Sequence, residues 1–256
     1  IGAADPDLQA FCGFLRDRAD DSDCVVLLGD VFSLWLGRRK FTQAHHEEVL
    51  DACRSLRSRG VRVVFVEGNR EFAARSFEGD AFDLVASDHV VESWGERRWY
   101  LAHGDRLDPA DWKNRLFHTI VRSRLVLGLF SLLSRGAGLA LGSKIERSLR
   151  HQNMGRKTSL PQQRLEDYGR WLESQGFAGG VIGHIHVEIA LELPSHDGSE
   201  RFLYVLPDWK SGRRFLRIPP DGPPRFGPGE DRAAPAVVDV SVVESGLLIT
   251  FDRASG

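Results

Sequence analysis

The sequence predicts an α/β protein in which helices flank a parallel sheet, and three observations lead there. Apolar runs of strand length alternate with segments of helical periodicity, short polar motifs stand where the apolar runs end, and a basic, apolar insertion separates the third motif from the fourth. The motifs are Gly29-Asp30, Gly68-Asn69-Arg70-Glu71, His103-Gly104-Asp105 and Gly183-His184-Ile185-His186. Strand ends are where layered α/β proteins gather functional groups.

In chain order, Leu8, Phe11, Cys12 and Leu15 recur at helical spacing and predict a helix over 8–18. Val25-Val26-Leu27-Leu28 reads as a strand delivering Asp30, and a helix over 42–59 with Gly60 as its stop signal follows. The run 61–66 is the next strand and leads to Asn69, so strand, helix and strand alternate as in a βαβ unit. Shorter strands over 88–92 and 99–102 precede His103. Beyond His186 the pattern predicts strands over 187–193, 202–206 and 215–218, then a loop rich in Pro and Gly over 219–235. A closing hairpin is expected from 237–243 and 247–251 about Glu244-Ser245-Gly246. One domain over 1–256 accommodates all of this, with a helical insertion at 110–158 and the Pro/Gly loop and hairpin at 219–256.

The insertion has no acid between Asp111 and Glu146, while Lys113, Arg115, Arg122, Arg124, Arg135 and Lys144 alternate with leucines and other apolar residues. An apolar helical pair with only positive charge suits a lipid-like anionic ligand or an anionic membrane surface. Elsewhere the composition is ordinary, with 42% hydrophobic and 27% charged residues, and a net charge of −2 gives no pull toward nucleic acid. Three cysteines without CxxC spacing fit a reducing compartment. With neither a secretory signal nor a spanning segment legible, the expected location is cytoplasmic, peripheral on the inner membrane.

Asp, Asn and His at four strand ends suit a pair of divalent cations, which about 3.5–4 Å apart can clamp the attacking and leaving oxygens of a phosphoryl displacement. Asp30 is the acid placed to bridge them; Asn69, His103 and His184 would complete one metal and His186 would serve the other. Period-2 geometry would put His184 and His186 on one face of an extended segment. Mn²⁺ suits this mixed nitrogen and oxygen set, with Fe, Zn and Co left open by ligand type.

Taken together the motifs resemble those of the calcineurin-like metallophosphoesterases. Arg70, where most of that superfamily has His, makes the chain similar to the UDP-2,3-diacylglucosamine diphosphatases of lipid A synthesis. So do Leu28-Gly29-Asp30-Val31-Phe32 with Trp35 soon after, His103-Gly104-Asp105-Arg106-Leu107, the basic insertion, and Tyr204-Val205-Leu206 before Asp208-Trp209. Glu71 stands where that family more often has Asp. The resemblance covers about 1–209 and implies a four-layer αββα sandwich with a helical lid over the site. It implies water attack on the pyrophosphate of UDP-2,3-diacylglucosamine, giving UMP and 2,3-diacylglucosamine 1-phosphate. Asp30, Asn69, Arg70 and His103 would then be catalytic. Substrate contacts would come from Asn69, Arg70, His184, Lys157, Arg147, Arg150, Asn153 and Arg156. The family pattern opens with a strand ending in Asp-x-His; Ile1-Gly2 would follow such a motif, so either upstream residues supply it or the second metal is held weakly. Two other functions stay open: another metal-dependent phosphodiesterase or nucleotide pyrophosphatase, and an inactive membrane-associated scaffold of the same fold.

Overall fold

A computed structural model describes residues 1–2, 5–105, 116, 119–153, 162–193, 201–220, 222–227 and 248–252. The first helix, α1 (Leu8–Asp17), buries Leu8, Phe11, Cys12 and Leu15, the face its periodicity marks out. Then follow β1 (Ser22–Leu27), the short β2 (Trp35–Leu36), α2 (Ala44–Ser58) and β3 (Arg62–Val66). In α2 the Gln43 side chain and the His46 ring form a reciprocal capping box at the N-terminus. Gly60, at φ +85°, lets the chain turn out of α2 toward β3.

Apart from a two-stranded parallel pair of β2 with β4 (Glu71–Phe72), the described strands form two mixed sheets rather than the single parallel sheet expected from the βαβ signal. One is six-stranded, ordered β12 (Arg225–Gly227), β11 (Phe215–Ile218), β13 (Leu248–Asp252), β1, β3, β5 (Leu84–Ala86). The other is five-stranded, ordered β6 (His89–Trp94), β7 (Arg97–Ala102), β8 (Gly179–His186), β10 (Arg201–Pro207), β9 (Ile189–Leu193). Parallel pairing holds where helices or long segments intervene, as in β1 with β3 and β7 with β8. Where only Gly95 and Glu96 separate two strands, β6 and β7 pair antiparallel, because two residues can close only a hairpin.

Period-2 alternation then sorts each strand's side chains. Val25, Leu27, Val63 and Phe65 face α1 and α2, meeting Phe11, Leu15, Val49 and Leu56 in one core. Cys24, Val26, Val64 and Val66 face the second sheet and meet Trp99, Leu101, Val181, Tyr204 and Leu206. Leu203, Val205 and Ile182 point from the second sheet's other side toward Leu165 and Leu172 of a later helix (Gln162–Ser174). Both faces of both sheets are therefore covered by apolar surface, the dominant favourable term in folding.

The insertion contributes α3 (Arg124–Leu132), capped by the Ser123 hydroxyl, which accepts from Val126 N, and α4 (Arg135–Asn153). The Gln162–Ser174 helix is α5 and Trp209–Gly212 is α6. Of the expected closing hairpin only β13 is described; it lies between β1 and β11, and the other expected strand, 237–243, is outside the described residues. Within the expected loop over 219–235, β12 pairs antiparallel to β11, and 228–247 lie outside the described residues.

Candidate metal centre

Three loops and the end of one strand bring the motifs together. The β1 loop carries Gly29-Asp30, the β3 loop carries Gly68-Asn69-Arg70, and His103 follows β7; His184 and His186 are among the last three residues of β8. The approach is close enough to require glycine. A Cβ on Gly29 would stand 2.6 Å from His103 Nδ1 and from the Gly68 backbone, and one on Gly68 would stand 2.5 Å from Asp30 N and Oδ1. Asp30, His184 and His186 hold left-handed backbone, at φ +53°, +67° and +59°. Side chains other than Gly rarely adopt that region, and such strain collects at functional sites.

Among the described residues one group of metal-ligating side chains gathers: ligand atoms of Asp30, His103 and His184 all lie within 4.8 Å of one another. Leu28 O stands 2.9 Å from His103 Nδ1, and a carbonyl can only accept, so the His103 proton is on Nδ1. His103 Nε2 is then left facing the gap, 3.6 Å from Asp30 Oδ2 and 3.3 Å from His184 Nδ1. One terminal atom of the Asn69 amide is 2.6 and 2.7 Å from the two Asp30 oxygens; as nitrogen it donates to both, and as oxygen it would share a cation with them. Arg70, 4% exposed, brings Nε to 3.9 Å from Asp30 Oδ2 and donates from Nη1 to Ser33 O.

His186 is not in that group. Register between β8 and β10 shifts after Val205, so four residues of β8 span what two of β10 span, and the bulge ends the simple alternation of faces expected for His184 and His186. Its Nδ1 is buried with no hydrogen-bond partner among the described residues. Arg147 lies exposed on α4 and turns its Nε back onto Ser143 O, 3.3 Å away. Arg150 and Asn153 fall on α4 with side chains outside the description, and Arg156 and Lys157 lie outside the described residues, as does His118. His45 and His46 pack in α2, with the His46 ring 5.0 Å from Phe32, and His89 stacks on Tyr100 at 4.7 Å.

Glu71 was not among the expected site residues, though it is 0% exposed at the heart of the loops. Its Oε2 accepts from Asp30 N and Gly68 N, both at 2.9 Å, and its Oε1 accepts from Phe32 N at 3.0 Å. One carboxylate thus locks the Asp30 loop to the Asn69 loop. The only signal was its place directly after Arg70, where Glu substitutes for the more usual acid.

The electrostatics of the site keep the Asp30 carboxylate ionised and two imidazoles, His184 and His186, neutral. Burial works against the Asp30 carboxylate, but His103, Arg70 and the other histidines hold its pKa below the usual value. Burial and then the Asp30 charge push Glu71 up to about 7. Burial, with His103 beside it, drops His184 to about 4, and burial lowers His186 as well. Burial likewise opposes the His103 imidazolium, but Asp30, Asp105 and the Leu28 carbonyl outweigh it and raise its pKa. Neutral His184 and His186 beside an ionised Asp30 are the protonation states that metal ligation requires. With the clustered donors and the orphaned His186 nitrogen, the residues fit a divalent cation.

Over 207 residues the chain is 30% identical to a UDP-2,3-diacylglucosamine hydrolase of Aeromonas salmonicida, covering 80% of each chain. It is 26% identical over 224 residues to the enzyme of that name from Chromohalobacter salexigens, covering 86% of this chain and 90% of that one. The Azotobacter vinelandii enzyme of the same name is 27% identical over 219 residues, 85% of this chain and 90% of the other. No family model matches the chain. Of solved structures, a phosphopantetheinyl hydrolase from Mycobacterium tuberculosis superposes loosely, at 14% identity and a TM-score of 0.34 over 84% of this chain and 89% of the other.

Proposed function

The chain belongs to the UDP-2,3-diacylglucosamine hydrolase family, and from that premise we propose that it hydrolyses the pyrophosphate of UDP-2,3-diacylglucosamine to UMP and 2,3-diacylglucosamine 1-phosphate. The observation that carries the reading is the convergence of Asp30, His103 and His184 ligand atoms within 4.8 Å, with Asn69 and Arg70 against the same carboxylate. On this reading the two facing sheets with outer helices are the metallophosphoesterase αββα sandwich, and 110–158 is its lid.

Asp30, Asn69, His103 and His184 would hold one divalent cation, and Asp30 with His186 would contribute to a second, Mn²⁺ being the ion that suits the donor set best. Cations bound there supply Lewis-acid charge to phosphoryl oxygens and make water a competent nucleophile at neutral pH. Arg70 is held in the protein by Ser33 O and the Asp30 charge. Its planar guanidinium is pre-set to pair with the diphosphate and to stabilise charge growing there. Burial of Asp30, His103 and Glu71 keeps bulk water from the loops and strengthens each of these interactions.

The lid reading draws support from α3, whose Leu125, Leu129 and Leu132 are 75%, 57% and 82% exposed. Spaced at i, i+4 and i+7, they form an apolar stripe that suits acyl chains or the anionic inner face of a membrane. Among the described residues no helix is long and apolar enough to cross a membrane, so the association proposed is peripheral. The test is hydrolysis of UDP-2,3-diacylglucosamine against UDP-glucosamine with Mn²⁺ present. UMP release from the first and little from the second is expected; equal rates would leave a general nucleotide pyrophosphatase as the better account.

A further inference from the structure

Arg122 belongs by sequence to the basic set expected to face anionic lipid, yet its side chain is only 14% exposed and is turned inward. Its Nη1 donates to Ser87 O at 2.7 Å, its Nη2 to Gly68 O at 2.9 Å and more weakly to Glu67 O at 3.4 Å. Its Nε stands 3.7 Å from the Glu67 carboxylate, which in turn accepts from Ala74 N at 2.7 Å. The guanidinium thus holds the outer, carbonyl side of the peptides whose inner side Glu71 holds through Gly68 N. The next residue along is Asn69.

The insertion has a second anchor of a different kind. Lys40 Nζ donates to Ser131 O at 2.6 Å and Leu133 O at 2.8 Å, capping the end of α3, and Arg38 reaches Leu127 O at 3.4 Å. These bonds fasten the helices to the segment after β2 and touch no candidate ligand loop. Of these anchors, it is Arg122 that grips a loop carrying a site residue.

We infer that Arg122 is a positioning residue that ties the helical insertion to the Gly68-Asn69 peptide and so sets where Asn69 meets Asp30. The inference rests on the metal-centre reading above. A planar donor fork spanning three carbonyls fixes direction as well as distance, which a lysine ammonium does less well. Groups that orient metal ligands from behind commonly change metal affinity or activity by about 10–100-fold when removed.

The experiment compares Arg122→Ala, Arg122→Lys and Lys40→Ala with the parent chain by calorimetric titration with Mn²⁺ alone, by thermal melting, and by kcat and KM on UDP-2,3-diacylglucosamine and bis(p-nitrophenyl) phosphate. Arg122→Ala is expected to weaken Mn²⁺ binding and lower kcat on both substrates by about tenfold or more, with partial recovery in added guanidinium ion. Lys40→Ala, which loosens the insertion but not the loop, is expected to raise KM for the acylated substrate and leave Mn²⁺ affinity unchanged. If Arg122→Ala changes only melting temperature, or only KM for the acylated substrate, Arg122 is a plain anchor and the inference fails. Should Arg122→Ala not fold, Arg122→Lys decides on the same readouts. Absence of Mn²⁺ binding by the parent chain would instead overturn the metal reading, and this inference with it.

Discussion

Asp30 and Glu71 are 6% and 0% exposed, and both Glu71 oxygens accept from backbone N–H groups, whereas Leu125 and Leu132 of α3 stand 75% and 82% exposed. The α3 leucines belong to the segment between the third and fourth motifs, and the two regions are built on opposite terms. Around Asp30, polar groups are buried and answered, which costs desolvation and returns fixed geometry. Along α3, apolar groups are left in water, which contributes nothing to the core. Rigidity and adaptability thus sit in different places: the loops are set by folding, while the apolar face gains its stabilisation only when something covers it.

The largest expected effect belongs to the rigid region. Asp30→Ala removes the carboxylate shared by His103, Asn69 and Arg70. Hydrolysis is expected to fall on the order of 10³-fold or more, because charge clamping and water activation are lost together. Mn²⁺ binding measured on the purified variant should fall with it. Near-parent turnover in excess Mn²⁺ would break the comparison at its root, since the buried carboxylate would then serve the fold alone.

Glu71→Ala tests the same region through stability. Three buried N–H donors, from Asp30, Phe32 and Gly68, lose their acceptor at once. Each unsatisfied buried donor costs about 1–3 kcal/mol, partly relieved by entering water, so a loss of about 3 kcal/mol in chemical denaturation is expected. Glu71→Asp, one methylene shorter, should retain part of it. An unchanged denaturation midpoint in Glu71→Ala would show that the loops hold their geometry without the carboxylate.

How far all this could be read from sequence follows the range of the interactions involved. The β1–α2–β3 unit was legible because apolar spacing is local, and α1 shows the buried face that Leu8, Phe11, Cys12 and Leu15 predict. The second sheet and the seat of β13 between β1 and β11 were not, since pairing between residues far apart in the chain leaves no periodicity in either strand. Within the site, Asp30, His103 and His184 were legible as ligand types at strand ends. The left-handed backbone and register shift at His184 and His186 leave no mark in the strand's periodicity, and the inward turn of Arg122 is a tertiary choice that charge patterning alone reads as a solvated or lipid-facing cation.

A smaller effect sharpens the electrostatic side of the buried region. Burial, with His45 beside it, drops the His46 pKa to about 3 from an ordinary 6.5. The unfolded chain therefore binds a proton that the folded chain refuses between those values, so stability is lost as pH falls from about 6.5 toward 3. His46→Gln keeps an acceptor for Gln43 N, as Gln at this capping position commonly does, and removes the titration. The variant should show a stability slope shallower by up to about 1.4 kcal/mol per pH unit in that window. Parallel pH–stability curves for the two proteins would mean that His46 is protonated without penalty.

The smallest effect on stability belongs to α3, and that smallness is the point. Replacing Leu125, Leu129 and Leu132 together by Ser exchanges side chains that already face water, so each should cost about 0.5 kcal/mol or less. Mn²⁺ binding and turnover of bis(p-nitrophenyl) phosphate should stay at parent levels, because Arg122 and Lys40 still anchor the helices through backbone carbonyls. The acylated substrate should respond differently. Each methylene taken out of water is worth about 0.8 kcal/mol, so losing part of an apolar seat should raise KM for UDP-2,3-diacylglucosamine by about tenfold or more and flatten its dependence on acyl length. A large fall in melting temperature would instead place these leucines in the fold's own core. An unchanged KM with the acylated substrate would leave the stripe without a part in substrate recognition, and the contrast between the two regions would then concern burial alone.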